Sequence, residues 1–484
     1  MMSNTMRIKN LTCLLLSGLV TGCMFHDNTP LAQAPDSFSV SNAGQPVINL
    51  PAHPWWEEMG SMELNGLVME ALENNKKITT AIKHIEIAQS ELDTVRLGWL
   101  PTFSFLAGRV HANATVLLPN LPVPVSTASN FSAFLPMWIA NIVQLPNKTK
   151  EAEKNMQSTA AEYLAIRTSV ASQVVSAYAV LLASIEEDRI LASLKSNLNE
   201  RLATVRSMNK QGLNTGISVN DLDSAMQKLQ AQIASNRSNS IAAKNALLVL
   251  IGRPVQKFTP RESFSMLKLA HTAPGNTPTS VLETRPDVVA ARAKIEAADY
   301  GISSTASLFA PIPTFTSANV RVSSNDNGTN STTIASMQAG MAVWVLDPQL
   351  LGKINTKNKQ FDASIIHYLS VVDQAMREVD DALASFEANK TRLINEERSL
   401  SNASKNLATY KAMYQRGLLS NTQFLEGTAQ FDLAEMAIVQ TKVQTVIAFS
   451  KLYQSMGGGA TFGENRYQLQ DQSISGIDRA DKQN

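Results

Sequence analysis

The chain of 484 residues is short of several things at once: it has 2 cysteines, 6% aromatic residues and a formal net charge of only +1. A balance so close to neutral carries neither the footprint of nucleic-acid binding nor an acidic tail. The six histidines, His26, His53, His84, His111, His271 and His367, show no paired spacing for a metal and no neighbouring nucleophile pattern. Gly457-Gly458-Gly459 has no strand before it or helix after it, as a phosphate loop requires, and reads as a helix stop. Asp380 and Asp381 are adjacent and point to different helix faces, so they form no acid–base pair. No catalytic residue, metal site or diffusible cofactor is expected.

What is present begins at the N-terminus. Arg7 and Lys9 precede an apolar run from Leu11 to Val20, too short to span a bilayer. Val20-Thr21-Gly22-Cys23 follows, a lipobox in which small residues admit the lipoprotein peptidase and the Cys23 thiol takes a diacylglycerol. Cleavage removes Cys13 and leaves Cys23 alone, so the mature chain forms no internal disulfide even in an oxidising periplasm. Several acyl chains on one residue anchor a protein stably where a single chain is marginal. Met24, rather than Asp, follows the lipidated cysteine and favours outer-membrane sorting. Residues 1–22 are therefore read as a signal peptide and 23–54, rich in Pro, Asn, Ala and Ser, as an extended linker.

The body is written twice. Lys148 and Lys353 open long helical stretches and Gly212 and Gly417 close them, 205 residues apart in both cases. Leu100-Pro101-Thr102-Phe103 is echoed by Ala310-Pro311-Ile312-Pro313-Thr314-Phe315 at a slightly larger offset, which places a small insertion in the first copy's hairpin. A unit of about 200 residues is too long for a solenoid repeat and means two equivalent halves of one architecture. The repeats are read as 55–260 and 261–459, with a polar tail over 460–484.

Helical periodicity runs from Leu64 to Leu97 and from Lys148 to about Gln211. In the second stretch Leu164, Ala171, Tyr178 and Ile185 step by seven, with Val174 and Leu181 between them, a coiled-coil seam. A helix of that length reaches roughly 95 Å, far more than a globular core needs. Further helices are expected near Val219–Ile251, Arg285–Phe309, Gly352–Gln415 and Thr422–Met456. In the last, Phe424, Phe431, Ile438, Thr445 and Leu452 keep a seven-residue register beside a column of Gly427, Ala434, Thr441 and Ala448. Bulky beside small is what closely laid helices require.

Between the first and second helix of each repeat the period changes. Thr102–Ala112 and Asn130–Val143 are expected to be strands around a loop containing Pro119, Pro122 and Pro124, and the apolar residues Val116, Leu117, Leu118, Leu121 and Val123 in that loop suit a pore cover or a lipid contact. Thr314–Ser323 and Thr332–Leu346 flank the turn cluster Asn325-Asp326-Asn327-Gly328-Thr329-Asn330. Thr316, Ala318, Val320 and Val322 alternate with Ser317, Asn319 and Arg321. The two hairpins, over about 101–145 and 312–349, give four strands near the length needed to cross a membrane. Strands in lipid must close into a barrel, and four are too few, since the smallest barrels have about eight. The chain is thus expected to pool its strands with identical copies.

Several segments resemble the TolC family of outer-membrane efflux channels, in its lipoprotein (NodT-like) branch. They are Trp55-Trp56 with Leu64, Ala71-Leu72, Asn75 and Ala81; Asn245-Ala246-Leu247 through Leu250-Ile251-Gly252; Leu282-Glu283-Thr284-Arg285-Pro286-Asp287; Glu378-Val379 with Ala382-Leu383; and Leu452-Tyr453 with Gly457-Gly458-Gly459. The resemblance implies a mainly helical chain with a membrane β part. It implies a homotrimer whose twelve strands form one transmembrane β-barrel, continued by a coiled-coil α-helical barrel across the periplasm, in the outer membrane of a Gram-negative bacterium. It also implies a periplasmic adaptor and an inner-membrane pump of RND or ABC type as partners, and passive conduction of drugs, toxic compounds or metal ions. Leu145-Pro146-Asn147-Lys148 departs from the glycine-containing turn kept at Leu351-Gly352-Lys353, and Pro136 lies inside a strand.

The same resemblance carries a periplasmic gate onto Gln423 and Glu426, in the stretch Gly417–Glu426, and less directly onto Asp221 and Asp223 of the first repeat. Threefold symmetry would gather the Glu426 carboxylates into a cation-sensitive ring; as a plain helix-start residue, Glu426 would instead be solvated and favoured by the dipole. Gly212, Gly216 and Gly417 would permit the tight hairpin tips against which an adaptor docks. Two other readings share the features: the outer-membrane channel of a type I protein secretion system, and a periplasmic coiled-coil scaffold lipoprotein. The scaffold has no use for two hairpins placed at the same point of a duplication.

Overall fold

A computed structural model describes residues 54–118, 121–139, 141–213, 216–269, 284–326, 329–343 and 347–458. The signal peptide, Cys23, the linker, Leu282-Glu283, Gly459 and the polar tail lie outside the described residues. The helices are α1 Met62–Asn74, α2 Lys76–Leu97, α3 Gln144–Lys210, α4 Gly216–Leu250, α5 Pro286–Ala306, α6 Gln349–Gln415 and α7 Asn421–Ser455; the strands are β1 Thr102–Leu118, β2 Leu121–Ile139, β3 Ile312–Asp326 and β4 Thr329–Val343. The duplication is kept in element length: α3 and α6 have 67 residues each, α4 and α7 have 35 each. The first hairpin is the longer one, with strands of 17 and 19 residues against 15 and 15, which locates the insertion. Two compact units gather equivalent parts of both repeats, one from 84–160 and 290–369, the other from 54–83, 161–289 and 370–458.

In the first unit the strands form an antiparallel sheet in chain order, β1-β2-β3-β4. The register is unbroken from Thr102 opposite Met137 to Leu118 opposite Leu121. The first hairpin is therefore strand to within two residues of its tip, and the stretch expected as an apolar loop is ladder. Pro122, Pro124 and Pro136 share one parity along β2. Pairing of β2 to β3 skips Leu135 and Pro136 and ends at Ser129 opposite Ser324, so Pro136 lacks a ladder donor toward β3 and the other two prolines lie beyond β3's reach. The second hairpin pairs out to Asp326 opposite Thr329, so Asn325, Asp326, Thr329 and Asn330 of the expected turn cluster are ladder. Beneath the sheet, Ala88 and Leu92 of α2 pack on Met156 of α3. Arg96 pairs with Glu153 at 3.1 Å and Lys357 with Glu151 at 3.0 Å. A Cβ at Gly301 of α5 would come within 2.7 Å of that Glu151 carboxylate, so glycine lets the pair lie flat on the helix.

The second unit is a set of helical hairpins. The expected run from Leu64 to Leu97 is interrupted at Asn75, whose extended backbone ends α1 and whose side chain accepts from the Lys77 and Ile78 amides to start α2. Leu145–Lys148, the departure from a glycine turn, is the first turn of α3, where Pro146 forfeits no intrahelical bond. Ala171, Val174, Tyr178 and Leu181 of the seam are buried, whereas Ile185 is 44% exposed. Trp55 and Trp56 are buried beside α7, Trp55 stacking on Tyr453 at 5.2 Å and meeting Phe449 edge-on at 6.0 Å. Tyr178 donates to Glu63 at 3.0 Å, and the same carboxylate oxygen accepts from the Arg261 and Glu262 amides. The tyrosine's pKa is pushed up, by burial first and then by that carboxylate.

Candidate functional site

Two places carry the features singled out in the sequence: the sheet of the first unit and the hairpin tips of the second. Constant register makes the faces of the sheet legible, because residues level with one another across strands share a face. One face holds Leu106, Ala133, Leu135, Met137 and Ile139, and backbone positions 318, 320 and 322 share its parity. The opposite face holds Arg109, Asn130, Ser132, Ser317, Asn319, Arg321 and Gln338. Nearest the helices, that polar face changes character. Phe103 and Phe134 stack with centroids 6.1 Å apart, and Trp138 lies 5.6 Å from Phe315. The Trp138 indole donates to the Trp99 carbonyl at 2.9 Å, and Gly340 leaves room for the Phe315 ring, which would sit 3.0 Å from a Cβ there. A cavity of about 450 Å³ lies against Trp138, Phe315, Ser317, Gln338 and Gly340. This aromatic end was missed in the sequence, although Phe103, Phe105 and Phe315 already alternate with Thr102, Ser104 and Thr314.

At the tips the two repeats terminate their long helices alike. Gly212 and Gly417 have φ of 74° and 73°. The Leu213 amide reaches back to Met208 and the Leu418 amide to Met413, each at 2.9 Å, the glycine-closed motif that satisfies the last carbonyls of a helix. Gly216 differs: it is the first residue of α4 and does not take positive φ. The tips belong to one helical assembly, since Asn197 of α3 donates to the Leu425 carbonyl at 2.6 Å and Asn421 of α7 to Glu200 at 2.7 Å.

Of the gate residues, Gln423 is exposed and closes a capping box with Ser420, accepting from its amide at 3.0 Å. Glu426, one turn later, is exposed. Asp221 is exposed, and Asp223 is held by Arg206 across the α3–α4 hairpin at 2.8 and 3.1 Å. A buried polar contact three turns into α7 carries no signal in the sequence: Asp432 accepts from Ser193 of α3 at 2.8 Å, beside an Arg189–Glu435 pair at 2.6 Å. Burial raises the Asp432 pKa, Ser193 opposes the shift, Glu435 adds to it and Arg189 opposes it. Among the described residues no three His, Cys, Asp or Glu side chains group to hold a metal ion.

The family model for outer membrane efflux proteins matches residues 67–253 and 277–458, one segment per repeat. The probable outer membrane lipoprotein SilC of Salmonella typhimurium is 22% identical over 467 residues, 93% of this chain and 97% of its own length. The outer membrane protein OprJ of Pseudomonas aeruginosa is 24% identical over 452 residues, covering 89% and 91%. Among solved structures, the CmeC outer membrane channel of Campylobacter jejuni superposes with a TM-score of 0.74 at 18% identity, over 95% of this chain and 98% of that one. The family is one of transport channels rather than enzymes, and both repeats of the present chain carry its pattern: the protein belongs to the outer membrane efflux protein family.

Proposed function

We propose that this protein is the channel subunit of a tripartite efflux system, and that three copies pool their strands into one twelve-stranded barrel through which small molecules pass unchanged. The observation that carries the reading is the two-faced sheet with β1 and β4 at its edges. An apolar face suits lipid and a polar face suits water, but open edges in a bilayer leave backbone groups unpaired, so closure needs further copies. Phe431 and Ile438 on α7, only half-buried in a single chain, are consistent with helices that meet partners in the assembly. The names of relatives, a cation efflux protein, CusC of Escherichia coli, and a toluene efflux pump outer membrane protein, TtgI of Pseudomonas putida, support a small-molecule cargo. In this reading the adaptor of an RND- or ABC-type pump docks at the tips closed by Gly212 and Gly417, with Gly216 opening the returning helix. Glu426, with Gln423, Asp221 and Asp223, narrows the periplasmic end, and a diacylglycerol on Cys23 holds the N-terminus in the outer membrane.

Planar bilayers test this. Trimer purified from outer-membrane fractions is expected to open discrete conducting pores, and Glu426→Ala to raise their conductance or to remove its dependence on divalent cations. Trimeric protein that opens no pores overturns the channel reading. Unchanged traces from the variant remove Glu426 from the gate.

A further inference from the structure

The polar face of the sheet is more than a wet surface. Its charged members among the described residues, Arg109 and Arg321, are exposed, and among the described residues neither is paired with a carboxylate. The strand sequences hold only one acidic residue, Asp326, at the tip of the second hairpin. Register fixes where these arginines stand. Phe105, Phe134 and Asn319 form one level; Ala107, Ser132 and Arg321 form the next; Arg109, Asn130 and Ser323 form the one after. Successive levels on a face are two residues, roughly 7 Å, apart. The guanidinium of Arg321 thus arises about one level above the Phe105–Phe134 pair and that of Arg109 about two, while Phe103, Trp138 and Phe315 extend the aromatic surface the other way.

From this juxtaposition we infer that the polar face is a recognition surface for aromatic organic anions, the ring lying on the phenylalanine and tryptophan band and the anionic group reaching the arginines. It rests on the channel reading, in which this face lines the pore and threefold assembly repeats both bands around it. Rings of Arg favour anions in pores. Guanidinium groups without a carboxylate partner are free to bind carboxylate or sulfonate in bidentate fashion. Planar rings find offset or edge-on partners among Phe103, Phe134, Trp138 and Phe315. A carboxylate cargo without a ring would use half of the surface, and an aromatic cation would be repelled by the other half.

The test uses the full-length trimer in planar bilayers under a potassium chloride gradient, with naphthalene-2-sulfonate as the probe. The Arg109→Gln/Arg321→Gln double variant is expected to shift the reversal potential toward cation selectivity. Naphthalene-2-sulfonate is expected to block the parent current, with its blocking concentration rising about tenfold in the double variant, and Arg109→Lys/Arg321→Lys to retain the parent's selectivity. Methanesulfonate, which lacks the ring, and naphthylmethylammonium, which reverses the charge, are expected to block weakly. Pores whose reversal potential and block are the same in parent and double variant overturn the inference and leave the channel reading intact. Equal block by methanesulfonate or by the aromatic cation overturns it too. Parent trimer that opens no pores brings down the channel reading itself.

Discussion

The two repeats build the same joint with different chemistry. In the first, Asn75 donates to the Leu250 carbonyl at 2.7 Å; in the second, Arg285 donates to the Ser455 carbonyl at 2.8 Å. Leu250 and Ser455 are both the last residues of their 35-residue helices, and Asn75 and Arg285 both immediately precede the next short helix. What the duplication conserves is a demand: the end of a returning helix needs a donor from the residue that starts the neighbouring one. The amide of Asn75 meets it locally and also caps α2. The guanidinium of Arg285 meets it while binding Asp287 at 2.6 Å and Glu378 of α6 at 2.8 Å, so the second joint is fastened to a third helix. Below each joint a left-handed glycine, Gly252 or Gly457, closes the helix, with a Cβ position 2.5 Å from the Asn74 carbonyl oxygen or 3.0 Å from that of Thr284. Backbone contact is kept in both repeats where side-chain chemistry has diverged.

The largest break in this comparison is expected from Arg285→Met. A buried carbonyl loses its donor and two carboxylates lose their cation, at about 2–4 kcal/mol, against about 1–2 kcal/mol for Asn75→Ala. Hydrogen exchange over the last turn of α7 and the last turn of α4 reads the two losses separately. Arg285→Asn, which copies the first repeat, is expected to stay close to the methionine variant because the tie to Glu378 is gone; parental protection in that variant would show the carbonyl bond alone to be what matters.

A smaller effect sharpens the comparison at the packing level. Gly427 of α7 lies under Tyr410 of α6, its missing Cβ 2.5 Å from the ring, whereas the corresponding first-repeat positions are Leu222 and Val205. Bulk has moved from one helix of the hairpin to the other. Gly427→Ala is expected to destabilise by about 1–2 kcal/mol through overpacking, and Tyr410→Val in the same chain to recover most of it. Urea midpoints of the two variants decide; equal midpoints for Gly427→Ala and parent would mean the ring simply swings away.

The smallest effect concerns pH. Asp432 has a folded pKa raised above the ordinary carboxylate value, chiefly by burial, so its charged form opposes folding. Stability rises as pH falls through the folded pKa and levels off below the unfolded one. Asp432→Asn keeps an acceptor for Ser193 and removes the charge, so it is expected to stabilise the protein near pH 7.5, where the parent carboxylate is ionised, and not near pH 3. A gain that is the same at both pH values would place its origin elsewhere than in the carboxylate.

Much of this was written in the chain. The duplication fixed two long helices of equal length because Gly212 and Gly417, with the apolar seven-residue rows before and after them, admit no other stopping point. The cluster of turn residues over 325–330 marked where the second hairpin reverses, and the alternation around Arg321 fixed its polar side. The limits of the first hairpin were hidden, since its prolines signal a loop in sequence and become harmless only when their ring nitrogens face the side where β3 is absent or does not pair. The break at Asn75 was hidden for a similar reason, the apolar period continuing through it.

Local pattern thus determined the elements, their order and their repetition, because helix and strand periods are set by the backbone itself. Which side chains stand level across the sheet, and which residue supplies the donor to a helix end some 170 residues away in sequence, were decided only by tertiary structure. Register and burial depend on neighbours that no local window of sequence contains.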